Sequence, residues 1–180
     1  MARSSDAYVL EMAVLIEQRR EELYRKAAEL ASSKEHQSLF TGLADKKNQH
    51  IRLFSELLGK LSTKESLDAG RISDEDFLSY VRNELLLHRD SPELTMAEAF
   101  LSRSLLDSAT DALLSENPTL LELARQAIRA EKDAIVFYIS LRQKMADPDE
   151  IKRIDEVIAE EMRHIRLLIK VLAQLCREQR

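Results

Sequence analysis

The chain has 180 residues, of which 33% are charged, a formal net charge of -5, three glycines and three prolines. This length suits one domain with a continuous apolar core, and so few glycines and prolines leave little turn chemistry for a many-stranded sheet. Acidic and basic residues are mixed along the chain rather than gathered into a basic stripe, which argues against a nucleic-acid-binding role.

The cysteine content and the hydropathy of the chain indicate the cellular compartment to expect. Cys176 is the only cysteine, so the chain can form neither an internal disulfide nor a Cys-x-x-Cys metal knuckle. We interpret it as an apolar filler near a helix end. No stretch approaches the roughly 20 apolar residues of a membrane span, and the first residues lack the apolar core of a signal peptide. We therefore expect a soluble protein of the reducing cytoplasm.

Apolar residues recur at three- and four-residue steps along the first third of the chain, the pattern of amphipathic helices. The first helix is predicted over residues 6–31. Ser32 and Glu35 have the spacing of a capping box, which predicts a second helix from there to Gly59. Residues 6–59 are thus predicted to form an antiparallel helical hairpin.

The middle of the chain, residues 60–116, has a less regular pattern. Ser73 with Asp76, and Thr95 with Glu98, are further capping signals that precede apolar runs. They predict two shorter helices that connect the first hairpin to the rest of the chain.

Two proline-containing cap signals open the remaining long helices. An asparagine–proline pair at residues 117–118 predicts a third helix that ends near Met145. An aspartate–proline pair at residues 147–148, with Glu150 completing a capping box, predicts a fourth. Residues 117–177 would form a second hairpin, and the whole chain a single all-α domain.

An internal repeat is the most informative feature of the sequence, because polar residues recur at an offset of 114 residues. The repeated pairs are Glu17 and Glu131, Tyr24 and Tyr138, Lys47 and Glu161, and His50 and His164. Residues three apart on a helix share a face, so Glu161 and His164 point the same way, as do Lys47 and His50. Charged groups on an apolar stripe are costly unless they are paired or bind a metal, so we predict that these residues converge inside the bundle.

The order of these residues resembles the rubrerythrin-like branch of the ferritin-like superfamily. In that pattern two helices each supply one Glu, and the other two each supply Glu-x-x-His, to ligate two irons. The resemblance spans all four long helices and implies a ferritin-like four-helix bundle of two pseudo-repeated hairpins with short connecting helices. The residues that match the family's metal ligands are Glu17, His50, Glu131, Glu161 and His164.

Lys47 departs from the family pattern, because it stands where the family has a glutamate that bridges both metals. A protonated lysine has no lone pair for a metal and repels a cation placed beside it. Three carboxylates and one ammonium group give a charge of -2. That charge suits one divalent ion better than two.

Three interpretations of the site remain open at this point. The first is one ion held by Glu131, Glu161 and His164. A weaker second ion at Glu17 and His50 belongs to the same interpretation. The second is a metal-free site in which the lysine pairs with the glutamates, and the third is a coincidence of helical spacing.

The resemblance implies iron as the metal, with manganese or zinc as alternatives. The function that it implies is either the reduction of peroxide or dioxygen, or the oxidation and storage of iron. Without cysteine pairs, such an oxidoreductase would need an external electron donor. Ferritin-like bundles commonly associate, so a homodimer is expected. The competing hypothesis is a non-catalytic bundle for assembly or partner binding, whose metal-free site is closed by Lys47 ion pairs.

The remaining polar residues are interpreted as structural. Tyr24 and Tyr138 are predicted to hydrogen-bond the glutamates of the site rather than to be catalytic groups. His36 and His88 have no partners at ligand spacing and are assigned to surface or cap regions. The charged residues 19–22, two arginines followed by two glutamates, are interpreted as a solvated helix face.

Overall fold

A computed structural model describes residues 5–64 and 118–178. Four long helices account for nearly all of these residues: α1 (Ser5–Leu30), α2 (Lys34–Lys64), α3 (Leu120–Lys144) and α4 (Pro148–Glu178). The described ranges contain no strand, so the predicted all-helical class is confirmed. None of these four helices has the length and apolarity to cross a membrane. The two predicted connecting helices lie outside the described residues.

The four helices pack as a bundle of two antiparallel hairpins, α1 with α2 and α3 with α4. Helix α1 also packs along α3, whereas α2 and α4 touch more sparsely. Arg153 of α4 contacts Glu56 late in α2, and Gln174 of α4 contacts His36 early in α2. Helices α2 and α4 therefore run antiparallel to each other.

Apolar side chains fill the two ends of the bundle and leave its middle to polar groups. One cluster surrounds Phe54 and Leu141, and the other surrounds Phe40 and Leu123. Each of these four residues is 0% exposed. Fully burying one such side chain contributes about 1.5–3 kcal/mol, so the two clusters stabilise the fold. They also separate the polar middle layer from water at both ends.

Two predicted boundaries of α2 need correction. Ser33, not Ser32, caps the helix, since its Oγ accepts a hydrogen bond from the His36 N–H at 3.1 Å. Both serines can cap, and local hydrogen bonding selects between them. The helix also continues through Gly59 to Lys64, because no described glycine has a positive φ that would end it. A glycine inside a helix costs only about 1 kcal/mol relative to alanine.

In the second hairpin, the start of α3 differs from the prediction, whereas the start of α4 agrees with it. The N-cap of α3 is Thr119, whose Oγ accepts the Glu122 N–H at 3.3 Å, while the Glu122 carboxylate accepts the Thr119 N–H at 2.8 Å. The predicted start was two residues too early because this reciprocal capping box fixes the first turn. Helix α4 begins at Pro148 as predicted, with Asp147 Oδ1 accepting a backbone N–H two residues later at 2.8 Å.

Candidate metal centre

A layer of charged side chains lies at the middle of the bundle, with contributions from all four helices. Each of them falls on an apolar stripe at three- or four-residue steps, so the helix turn that buries the stripe also buries the charge. None is more than 6% exposed. The members are Glu17 and Arg20 of α1, Lys47 and His50 of α2, Glu131 of α3, and Glu161 and His164 of α4. The structure thus brings together all six predicted residues and adds Arg20.

Arg20 joins the three glutamates of the layer through its guanidinium group. Its Nη1 donates to Glu17 Oε1 at 2.7 Å and to Glu161 Oε1 at 3.1 Å. Its Nη2 donates to Glu131 and lies 3.1 Å from Glu161 Oε2. A planar guanidinium suits such a shared contact, because its N–H groups point in fixed directions towards several carboxylates.

Lys47 places its ammonium group among ligand-type atoms of the second hairpin. Its Nζ contacts Glu161 Oε2, lies 3.0 Å from Glu131 Oε1, and lies 3.4 Å from His164 Nδ1. A fourth, longer separation of 4.0 Å joins Nζ to Glu17 Oε2. The ammonium therefore sits where a cation bound by Glu131, Glu161 and His164 would lie.

One ring nitrogen of His50 has a hydrogen-bond partner, and the other has none. Its Nε2 lies 3.0 Å from the carboxylate of Glu160, which is 25% exposed. Its Nδ1 lies 3.3 Å from Glu161 Oε1 and 3.5 Å from Glu17 Oε1, and it makes no hydrogen bond. Glu17 Oε2 is likewise buried without a hydrogen-bond partner. Leaving such an atom unsatisfied in an interior costs about 1–3 kcal/mol, so this pair calls for a physical explanation.

The fixed cations control the ionisation of the glutamates. Burial raises the pKa of Glu161, but the charges of Arg20 and Lys47 outweigh it and hold the pKa well below its ordinary value. The same balance lowers the pKa of Glu17. Both carboxyl groups are therefore ionised at neutral pH and can pair with a cation.

The pKa values of the two histidines are raised, although burial alone would lower them. Burial lowers the pKa of His50, but the carboxylates of Glu161 and Glu17 beside its Nδ1 outweigh burial and raise the pKa to about 9. Burial likewise lowers the pKa of His164, and hydrogen bonds to Glu131 and Glu161 raise it above its ordinary value. The site therefore attracts positive charge at His50 Nδ1, in the form of a proton or of a metal ion.

Two tyrosines support the glutamates from within the apolar clusters, as predicted. The Tyr24 hydroxyl donates to Glu131, and the Tyr138 hydroxyl donates to Glu17. Burial and the neighbouring glutamate charges raise the pKa of both phenols well above the ordinary value. Each hydroxyl thus keeps its proton and can fix the orientation of its carboxylate.

Two sets of three ligand atoms lie close enough to share an ion, and Glu161 belongs to both. The first ligand set is Glu17, His50 and Glu161, and the second ligand set is Glu131, Glu161 and His164; in each, the ligand atoms lie within 4.8 Å of one another. Metal–ligand bonds of 2.0–2.2 Å place neighbouring ligands of a tetrahedral ion about 3.3–3.6 Å apart. The separations around His50 Nδ1, 3.3 and 3.5 Å, fall in that range.

Arg20 is the residue of the site that sequence reasoning assigned wrongly. It was placed on a solvated face, yet it is 4% exposed. The signal was present, because Arg20 lies three residues after Glu17 and four before Tyr24, on the buried stripe of α1. Its neighbour Arg19 does lie at the surface, where it pairs with Glu22.

The remaining predictions concern residues outside the site. His36 is 6% exposed and its Nε2 lies 3.2 Å from Gln174 Oε1, so its assignment to the cap region holds and its assignment to the surface was wrong. Cys176 is half-buried near the end of α4, as expected. His88 lies outside the described residues.

Comparisons with family models, with curated proteins and with solved structures found no match to this chain. The contacts of the site itself must therefore carry any functional conclusion.

Proposed function

We propose that this protein is a rubrerythrin-like member of the ferritin-like superfamily that binds one divalent metal ion, iron or a similar metal such as manganese or zinc. The observation that carries the proposal is His50 Nδ1, a buried atom without a hydrogen bond that lies 3.3 Å from Glu161 Oε1 and 3.5 Å from Glu17 Oε1. A divalent ion ligated by these three residues would give this nitrogen a partner. Mixed imidazole and carboxylate ligands suit iron, manganese and zinc.

Contacts between the hairpins support the pseudo-repeated arrangement of a ferritin-like bundle. The hydrogen bond from Tyr24 to Glu131 has a counterpart in the one from Tyr138 to Glu17. The two tyrosines are 114 residues apart, and so are the two glutamates. Lys47 contacts Glu161, the residue 114 positions further along. Such contacts are expected when two similar hairpins face each other across a two-fold axis, and they favour descent from a repeated ancestor.

The first ligand set is the better metal site of the two. Glu160 lies behind His50 and can accept its Nε2–H, which directs the Nδ1 lone pair towards the site, an arrangement typical of metal-ligating histidines. Residue 46, the repeat equivalent of residue 160, is a lysine, which cannot accept a hydrogen bond. The Lys47 ammonium lies beside all three residues of the second ligand set, whereas Arg20 Nη1 contacts the two carboxylates of the first. The proposal therefore departs from the expectation from the sequence, which favoured the second set.

The site does not fit the two-metal chemistry of the family. Lys47 replaces a bridging carboxylate, and Arg20 adds a second positive charge to the same layer. A bound ion would supply Lewis acidity or one-electron redox chemistry. The chain's own residues hold the ligands in place, neutralise their excess charge and, through the apolar clusters, exclude water. We therefore propose metal binding and retention rather than two-metal peroxide or dioxygen reduction.

Elemental analysis of the native protein tests this proposal, together with ultraviolet–visible spectra before and after anaerobic addition of ferrous iron. We expect about one ion per chain, as one set of three protein ligands predicts. His50→Gln should lose the ion. His164→Gln is the matched control, because it changes the repeat-equivalent histidine and should keep the ion. Absence of metal from protein grown with supplemented iron, or loss of metal in His164→Gln alone, would refute the proposal.

A second candidate function is a non-catalytic bundle for assembly or partner binding. The specific observation in its favour is charge balance, because Arg20, Lys47 and a protonated His50 match the three glutamates without a metal. In this case chelator treatment would leave the melting temperature of the purified protein unchanged. A fall in melting temperature on chelation, reversed by adding back the ion, would instead favour the metal-binding function.

A further inference from the structure

Two fixed positive charges lie directly beside the first ligand set. Arg20 Nη1 donates to Glu17 Oε1 at 2.7 Å and to Glu161 Oε1 at 3.1 Å. Lys47 Nζ contacts Glu161 Oε2 and lies 4.0 Å from Glu17 Oε2. Both carboxylates of the set therefore already share their negative charge with a guanidinium and an ammonium group.

We propose that Arg20 and Lys47 hold a bound iron ion in the ferrous state, so that the site keeps Fe²⁺ and resists its oxidation. This inference rests on the proposed metal-binding function. Oxidation would remove one electron from Fe²⁺ and transfer it to dioxygen, which becomes superoxide, or to hydrogen peroxide, whose O–O bond breaks to give hydroxide and a hydroxyl radical. The iron would then carry one more positive charge with no new anion beside it.

The charges of the layer show why that step is unfavourable. With His50 and His164 counted as neutral, three glutamates with Arg20 and Lys47 sum to -1, so the layer reaches +1 with Fe²⁺ and would reach +2 with Fe³⁺. Like charges a few ångströms apart repel strongly in an interior that excludes water. The added positive charge therefore raises the reduction potential of the bound iron.

Outside the first ligand set, the anionic and phenolic groups of the layer already have partners. Glu131 already contacts Arg20 and Lys47 and accepts the Tyr24 hydroxyl. The Tyr138 hydroxyl keeps its proton and donates a hydrogen bond to Glu17, so it is not oriented as a phenolate ligand. The structure thus couples retention of the ion to its lower oxidation state.

Exposure of iron-loaded protein to oxidants tests the inference. Chelator-treated wild-type protein is loaded with one equivalent of Fe²⁺ under argon and then exposed to air and to hydrogen peroxide. Mössbauer and electron paramagnetic resonance spectra follow the ferrous and ferric fractions. We expect oxidation at least about tenfold slower than that of free Fe²⁺ in the same buffer, a difference of about 1.4 kcal/mol in barrier. Oxidation as fast as that of free Fe²⁺ would overturn the inference.

Charge variants attribute the effect to the two cations. Arg20→Met and Lys47→Met should speed oxidation and lower the measured reduction potential, whereas Arg20→Lys should retain the slow oxidation. Lys152→Met, which removes an exposed lysine of α4, is the matched control and should behave as wild type.

The wild-type measurement decides the matter even if a charge variant fails to fold. Iron that binds and is oxidised as fast as free Fe²⁺ overturns this inference alone. Failure of Fe²⁺ to bind at all overturns the proposed function and this inference with it. A ferrous fraction that persists in wild type and is lost in both methionine variants supports the inference.

Discussion

At the scale of single residues, the properties of the site follow from two cations buried among three carboxylates. Lys47 and Glu161 are each 0% exposed, so neither can exchange its partner for water. A buried ion pair need not stabilise a protein relative to a well-packed apolar pair. Removing one partner alone is costly, however, because it leaves an uncompensated charge in the interior. The residues of this layer therefore depend on one another for stability.

Replacement of Lys47 tests that dependence. Lys47→Met should lower the free energy of unfolding by about 3 kcal/mol, because Glu131 and Glu161 lose the charge that they share. Urea unfolding followed by circular dichroism measures the change. The adjacent Lys46 is 41% exposed and pairs with Glu160 at 3.4 Å, so Lys46→Met is a control expected to cost less than about 1 kcal/mol. Equal midpoints for Lys47→Met and wild type would contradict the prediction.

The pH dependence of stability provides a second test at this scale. The folded state raises the pKa of His50 from 6.5 to about 9, so it binds this proton more tightly than the unfolded chain does. The stabilisation is complete below about pH 6.5 and is lost as the pH rises through about 9, at most on the order of 3 kcal/mol.

Unfolding of metal-free protein between about pH 6 and pH 10 should show this decline. His50→Gln, which has no titrating ring, should have a flatter profile over the same range. A wild-type stability that rises across this range, or a decline of equal size in the variant, would show that His50 is not responsible.

The sequence was sufficient to find most of the site but not its occupancy. Lys47, His50 and Glu161 could be identified because their polarity breaks an apolar stripe and recurs at one offset. Arg20 has no polar counterpart in the repeat, where Ala134 stands, and it lies in a charged run that looks like a surface. Which ligand set is filled by the ammonium depends on the reach of a side chain across α2 and α4, and helical spacing carries no such information.

At the scale of secondary structure, the apolar period fixed the existence of the helices, and local hydrogen bonds fixed their ends. The apolar period extends over many turns, so all four long helices could be predicted. A cap depends on one or two side chains, and neighbouring serines or threonines compete for it. This explains why α2 and α3 begin one or two residues from their predicted starts.

The start of α3 tests how much one cap contributes. Thr119→Ala removes the hydroxyl that accepts the Glu122 N–H and should lower the free energy of unfolding by about 1 kcal/mol. Thr119→Ser should retain most of the stability. Thr41→Ala is the control, because Thr41 is an exposed residue inside α2 whose hydroxyl donates to the Gln37 carbonyl of the same helix. Equal losses at residues 119 and 41 would argue against a capping role.

At the scale of the whole molecule, the charged layer is the point at which all four helices meet. A ligand bound there contacts both hairpins, since Glu17 and His50 belong to one and Glu161 to the other. The two apolar clusters lie on either side of this layer and each includes residues from both hairpins. Binding at the centre should therefore stabilise the whole bundle rather than one helix.

Removal of metal should consequently shift one cooperative unfolding transition. An ion present at 100 times its dissociation constant adds about 2.7 kcal/mol to the free energy of unfolding. For a chain of this size, that corresponds to a rise of roughly 5–10 °C in melting temperature. Scanning calorimetry with and without chelator measures the shift, and His50→Gln should show none. Two separate transitions, or a shift that persists in the variant, would contradict the prediction.

The lysines at positions 46 and 47 also determine which hairpins can dock together. Lys46 contacts Glu160 and Lys47 contacts Glu161, so each lysine meets the residue 114 positions further along the chain. Two first hairpins from separate chains, docked in the same way, would bring ammonium against ammonium, and two second hairpins would bring carboxylate against carboxylate. Charge at these two positions therefore favours the docking of a first hairpin on a second hairpin over the docking of two like hairpins.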